Sequence, residues 1–277
     1  MSREAELERK IAELEARLAT ERARYMELRR TLDAEREAAL DQRFAMAENN
    51  LRLLALKESL EAEKEKSAKL LRNLLPERVI AELQANGSSR PERFEHVTVL
   101  FSDIVGFTDR SAELDPEEVI AELSDIFTEF DRIFSLHGCE RIKTVGDAYL
   151  CVSGLPAPTE NHCANILAGA CAAVRYLETR NRIRTFPWQM RFGVHTGRVV
   201  GGIVGREKYI YDIFGDTVNT AARMEQLSEP MRINVSQEVR DAAPEGCRFI
   251  ERPPCEVKGK GRMRMYFLDD HSPCPPR

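Results

Sequence analysis

The first 75 residues contain neither glycine nor proline. Without them a chain cannot easily break a helix or turn through positive φ, so a multi-element globular fold is excluded for that stretch. No two of the seven cysteines form a C-x-x-C pair, which leaves out the common zinc and dithiol motifs. Their number is odd, and reduced thiols packed as small hydrophobes are expected. No apolar run approaches the roughly 18–20 residues that span a bilayer; the longest, Ile166 to Val174, is short and rich in alanine and glycine. The opening, MSREAELERK, has no signal-peptide core. A cytoplasmic chain without a membrane segment is expected. Positive charge is not in excess either: the net charge is −5, which gives no basic field for nucleic acid. Any polyphosphate must be held by a local site.

What is present divides by position. Residues 1–75 are crowded with Glu, Arg, Lys, Ala and Leu. Alternating steps of four and three from Leu7 pass through Ile11, Leu14, Leu18, Tyr25, Leu28, Leu32, Leu53, Leu56, Leu60 and Leu70 to Leu74, and fourteen of the twenty positions visited are apolar. A seven-residue repeat sustained without a reset predicts a left-handed, parallel coiled coil. Such a helix has no core of its own and asks for a partner helix. The polar seam positions, Glu21, Glu35, Gln42, Asn49, Glu63 and Ser67, weaken packing but set register.

Pro76 ends that pattern, and a short helix from Glu77 to Ala85 is expected to stop at Asn86-Gly87. Residues 76–92 form a helical linker or transducer segment. The following domain, 93–270, changes to short strands and helices, and a disordered tail is expected over 271–277. Strands are expected at 96–102, 141–145, 148–152, near 189–195, 199–204 and 207–213, and later near 231–235, 247–257 and 263–268. Helices are expected from Pro116 to Gly138, with Asp115 as N-cap and Glu118 completing a capping box, over about 160–178, and over 216–227. The order β-α-β-β-α-β predicts an α+β fold of the ferredoxin-like, split βαβ kind.

Two aspartates stand at strand ends. Asp103 follows an apolar strand and precedes a glycine turn, and Asp147 sits at the Gly146-Asp147 hairpin tip. If their strands are neighbours, the acids repel unless cations lie between them, and two metal ions about 3.5–4 Å apart suit in-line phosphoryl transfer. The backbone N–H groups of the next turn, at Phe107 and Thr108, can face a phosphate. Taken singly, each aspartate is more often a turn or capping residue.

In order, the chain carries FSDIVGFT, ERIKTVGDAYL, MRFGVHTGRVVGGIVG, YDIFGDTVNTAARM and VKGKG. This set resembles the catalytic domain of class III adenylyl and guanylyl cyclases over about residues 93–269. The resemblance implies a metal set of Asp103, Ile104 and Asp147 holding two Mg²⁺ or Mn²⁺ per active site. It implies a transition-state pair, Asn219 and Arg223, whose i, i+4 spacing independently places both on one helix face. It puts a triphosphate lysine at Lys258 and a further phosphate-binding arginine at Arg191. The reaction implied is attack of the ribose 3′-hydroxyl on the α-phosphorus, with loss of pyrophosphate. His195 carries no derivable role and reads as a packed strand histidine.

The family reads its purine at two positions, which here hold Lys143 and Asp212. Lysine only donates hydrogen bonds and an ionised aspartate only accepts them. Adenine offers an acceptor at N1 and a donor at its amine, so both match; guanine inverts both. Guanylyl members typically carry Glu and Cys or similar there, so ATP is the expected substrate. The resemblance also implies an active site shared between two catalytic domains. This chain has one such domain with every motif, so a symmetric homodimer is expected, held by the coil as well, with room for an upstream sensor domain. Two alternatives stay open: a guanylyl cyclase, and an inactive cyclase-like module for dimerisation or nucleotide sensing. The hairpin reads Val-Gly-Asp-Ala, not the G-G-[DE]-E-F of diguanylate cyclases.

Overall fold

The computed structural model describes residues 3–72, 74–205 and 209–269. The expected tail 271–277, and residues 207 and 208 of one expected strand, lie outside the described residues. The chain divides into two compact units, Met1–Leu70 and Leu71–Arg277.

The first unit is one helix, α1 (Arg3–Arg72), uninterrupted for 70 residues and so about 100 Å long. Its seam is bare: Leu7, Leu28 and Leu53 are 56%, 67% and 63% exposed. No described helix is long and apolar enough to cross a membrane.

The second unit opens with α2 (Glu77–Asn86), which Gly87 stops in the left-handed conformation at φ +69, as glycine allows. Then come β1 (Glu92–Ile104), α3 (Phe107–Ser111), α4 (Pro116–Leu136), β2 (Glu140–Val145), β3 (Ala148–Ser153), α5 (His162–Asn181), β4 (Met190–Val204), β5 (Ile210–Phe214) and α6 (Asp216–Gln226). The chain closes with β6 (Ile233–Ser236), α7 (Gln237–Ala242), β7 (Phe249–Glu251), β8 (Cys255–Val257), β9 (Gly261–Met263) and β10 (Met265–Leu268). The main sheet runs β2-β3-β1-β4-β6-β10-β7, with β5 folded back on β4 and β8–β9 forming a separate hairpin. The portion β2-β3-β1-β4 is antiparallel throughout, the split βαβ arrangement.

One sheet face packs α4 and α5 through Leu100, Ile126, Phe130, Tyr149, Ile166 and Phe192. The other carries α2 and α6, with Leu75, Val79, Val97, Val152, Tyr211 and Ala221 buried between. The 76–92 segment therefore contributes to this core.

Several elements differ from expectation. The two strands expected at 189–195 and 199–204 are one strand, β4, because its glycines serve close approach rather than turning. A Cβ at Gly193 would lie 1.9 Å from the backbone nitrogen of Glu225, so only glycine lets α6 settle there. The strand expected over 247–257 is two, β7 and β8, since Pro253 and Pro254 between them have no N–H to donate. Helix α7 was not expected, although Ser236 caps it through Val239 N–H. Asp115 caps α4 by accepting from Glu117 N–H at 2.9 Å. Cys139, Cys151 and Cys163 are buried free thiols and Cys171 is buried; Cys247 departs from the expectation of reduced cysteine, being disulfide-bonded.

Candidate active site

Register brings the first cluster together. On the antiparallel β1–β4 ladder, Asp103 stands directly opposite Arg191, and Arg191 Nη2 donates to Asp103 Oδ2 at 3.1 Å. Asp147 reaches the same place from the β2–β3 turn, where Gly146 takes φ +63. The Asp103 carboxylate and the Ile104 backbone are its neighbours there. Burial, and then the charge of Asp103, push the Asp147 carboxyl up to about 6. Two acids that cannot comfortably ionise together make a site for a proton or a cation. The oxygen donors suit a hard divalent metal. Ile104 is buried and its side chain has no donor atom, so only its backbone can take part. Gly106, at φ +67, turns the chain into α3 and sets Phe107 and Thr108 beside this edge.

Glu225, which sequence reasoning missed, closes the cluster from the end of α6. Its Oε1 lies 2.9 Å from Arg191 Nε, an ion contact without hydrogen-bond geometry. Burial pushes its carboxyl up to about 7 against the pull of Arg191. Nothing in the local sequence marks it; only the tight Gly193 approach places it there. Arg191 thus sits between two carboxylates.

The second cluster is Lys143 on β2 and Asp212 on β5. Lys143 Nζ donates to Asp212 Oδ2 at 2.6 Å, and Asp212 Oδ1 accepts from Ile213 N–H at 2.9 Å. On β5, Tyr211 and Ile213 turn inward while Ile210 and Phe214, 57% and 49% exposed, face out with Asp212.

The third cluster lines a cavity of about 550 Å³ between α6 and the β8–β9 hairpin: Asn219, Arg223, Gln226 and Asp216 on one side, Lys258 and Lys260 on the other. The spacing argument for Asn219 and Arg223 holds, since both line it. Arg223 Nη1 donates to Gln226 Oε1 at 2.5 Å. A cavity of about 620 Å³ between the start of β1 and residues 158–162 involves none of these side chains. His195 is buried, with Nδ1 2.8 Å from Ser236 Oγ, and burial lowers its pKa. It lines none of the three clusters.

Residues 89–270 match the family described as Adenylate and Guanylate cyclase catalytic domain. The chain belongs to that family. It is 36% identical over 241 residues to guanylate cyclase soluble subunit beta-2 of Rattus norvegicus, covering 86% of this chain and 35% of that protein. The chain therefore spans about a third of that relative. Among solved structures, it resembles the guanylate cyclase domain of RhGC from Catenaria anguillulae in complex with GTP, with TM-score 0.62, 32% identity, and 64% and 97% of the two chains covered. It also resembles the adenylyl cyclase CyaB from P. aeruginosa, with TM-score 0.61, 27% identity, and 65% and 96% covered. The class III cyclase fold is shared with relatives of both substrate types.

Proposed function

We propose that this cyclase domain converts ATP to 3′,5′-cyclic AMP and pyrophosphate as a homodimer. The contact between Lys143 Nζ and Asp212 Oδ2, 2.6 Å apart, carries the choice of purine. It places one pure donor beside one pure acceptor, the complement of adenine's N1 and amine. A site of mispaired polar groups rejects the wrong base by about 10⁴.

A second reading, GTP to cyclic GMP, has its own support. The relative from Rattus norvegicus is a guanylate cyclase subunit, and atrial natriuretic peptide receptor 2 of Mus musculus is 42% identical over 219 residues. Overall likeness favours GTP and the two side chains favour ATP. We give the side chains more weight, because purine choice rides on few contacts. A rhodopsin-guanylyl cyclase core with converted specificity, 32% identical to this chain, is known in complex with ATPαS.

Asp103 and Asp147, with the Ile104 backbone, would hold two Mg²⁺ or Mn²⁺. Bound there, the cations neutralise triphosphate charge and acidify the ribose 3′-hydroxyl. Asn219 orients the ribose, Arg223 faces negative charge gathering at the α-phosphate, and Lys258 holds the far phosphates. Backbone N–H groups at Phe107 and Thr108 and the Arg191 guanidinium meet the same triphosphate, Arg191 after exchanging a carboxylate for a phosphate. This is positioning and electrostatics, with no covalent intermediate on the protein.

A dimer is supported by the outward Ile210 and Phe214 that flank Asp212, and by the bare leucine seam of α1. The α1 coil and residues 70–87 are proposed to set how two catalytic domains meet, and so to switch activity, under an upstream sensor. Deleting residues 1–66 is expected to change turnover or dimer affinity; unchanged kinetics across protein concentrations removes this role.

The deciding experiment incubates the purified chain with ATP or GTP and Mg²⁺ or Mn²⁺ and identifies the cyclic product, with Asp103→Ala as control. Cyclic AMP is expected. Cyclic GMP alone selects the second reading, and no cyclic product from either nucleotide supports an inactive sensing module.

A further inference from the structure

The hairpin bearing Lys258 lies outside the main sheet. Strands β8 and β9 pair with each other as a two-stranded sheet. The tip, Lys258-Gly259-Lys260-Gly261, turns through Gly259 and Gly261 at φ +78 and +72, and nothing lies within 4 Å of where their Cβ atoms would stand. The tip backbone is therefore free of packing at both glycines. The base of the hairpin is anchored by Val257, 1% exposed, which sits with Met224 and Met265 in a small core. The tip is anchored differently: the Lys260 ammonium pairs with the carboxylate of Asp216.

Asp216 begins α6, the helix that carries Asn219 and Arg223. An acid in a helix's first turn is favoured by the peptide dipoles, so the position suits a carboxylate. The two lysines of the tip then differ in state. Lys260 is engaged with α6. Lys258 lines the same cavity and, among the described residues, has no ion-pair partner.

We infer that Lys260 is a positioning residue: its ion pair with Asp216 is a clasp that fixes the hairpin tip against α6 and aims Lys258 at the triphosphate, without Lys260 itself binding substrate. The inference rests on the cyclase reading above for its substrate. The opposite assignment makes Lys260 a second phosphate ligand that Asp216 holds back, and the two differ in sign. Removing Asp216 loosens Lys258 under the clasp but frees a ligand under the alternative.

The test measures kcat and KM, for the nucleotide the wild type cyclises, in Asp216→Asn, Lys260→Gln, the double variant and Asp216→Glu. Melting temperatures serve as the folding check. The clasp expects each neutralising variant to raise KM by about threefold to fivefold, the scale of an exposed ion pair, with kcat less affected. The double variant should be no worse than either single one, a fully coupled cycle, and Asp216→Glu should recover most of the loss. A lowered KM in Asp216→Asn, or single effects that multiply in the double variant, overturns the clasp. Hydrogen exchange provides a readout that does not depend on turnover. The amides of residues 258–261 should exchange faster in Asp216→Asn and Lys260→Gln, and unchanged exchange also overturns it. A wild-type chain that cyclises neither nucleotide defeats the functional reading, and the clasp is then judged on exchange.

Discussion

Lys143 and Asp212 lie 69 positions apart in sequence and 2.6 Å apart in space. They come from β2, at one edge of the sheet, and β5, folded back on β4. Donor and acceptor satisfy each other here, and on the ATP reading adenine would part them while giving each a partner of the same kind. Replacing the pair by Lys143→Glu and Asp212→Cys should lower kcat/KM for ATP by about 10³–10⁴ and raise it for GTP. Competition between the two nucleotides measures this directly. Undiminished ATP preference in the double variant means the purine is read elsewhere.

The acid pair predicts how stability depends on pH. Asp147 in the folded chain is raised to about 6 from the ordinary 3.8. A raised carboxyl binds its proton more tightly folded than unfolded, so its contribution is greatest at low pH and is lost as pH rises through about 6. In metal-free buffer the wild type should lose ~1 kcal/mol from this group between pH 5 and 8, the full shift being discounted because the carboxyl is partly solvated. Asp147→Asn should flatten that part of the profile. Glu225, raised to about 7 by burial, acts in the same direction, so some slope remains. Added Mn²⁺ should raise the melting temperature of the wild type but not of Asp147→Asn.

Gly193→Ala tests the seat of α6. Its Cβ would meet the Glu225 backbone, which cannot swing aside as a side chain could. A cost of about 1–3 kcal/mol in denaturant unfolding is expected, as for overpacking in a tight core. Turnover should fall by more than the loss of folded protein explains, because Asn219 and Arg223 ride on the displaced helix.

Ile210→Glu with Phe214→Glu tests the shared site. Both side chains are exposed on the strand that carries Asp212, and charge there should keep two catalytic domains apart. Sedimentation of the full chain should still show a dimer through α1, while activity falls at least tenfold. Full activity in that dimer would place the catalytic interface on another surface.

Residues close in sequence told most of what the chain alone could tell. The seven-residue seam, the absence of helix breakers to residue 75, the Asp115 cap, the Gly146-Asp147 hairpin and the i, i+4 pair Asn219 and Arg223 are local patterns. Helical and strand periodicity dictate them before any packing occurs. Five ordered motifs then pointed to the family, and the split βαβ order followed from the succession of elements. Packing decided the rest. Gly197 fell between two expected strands, but β4 runs through it, and both Gly197 and Gly193 leave the space that α6 needs at Thr217 and Glu225. Glu225 had no signal in its neighbourhood, since its place beside Arg191 arises from that close helix approach. The Lys260–Asp216 pair joins two segments 44 residues apart, and only the folded chain distinguishes the two lysines of VKGKG. Short-range sterics and hydrogen bonding shape each element, whereas contacts between distant elements form only once the sheet has closed. The charges that meet there had no neighbours in sequence to announce them.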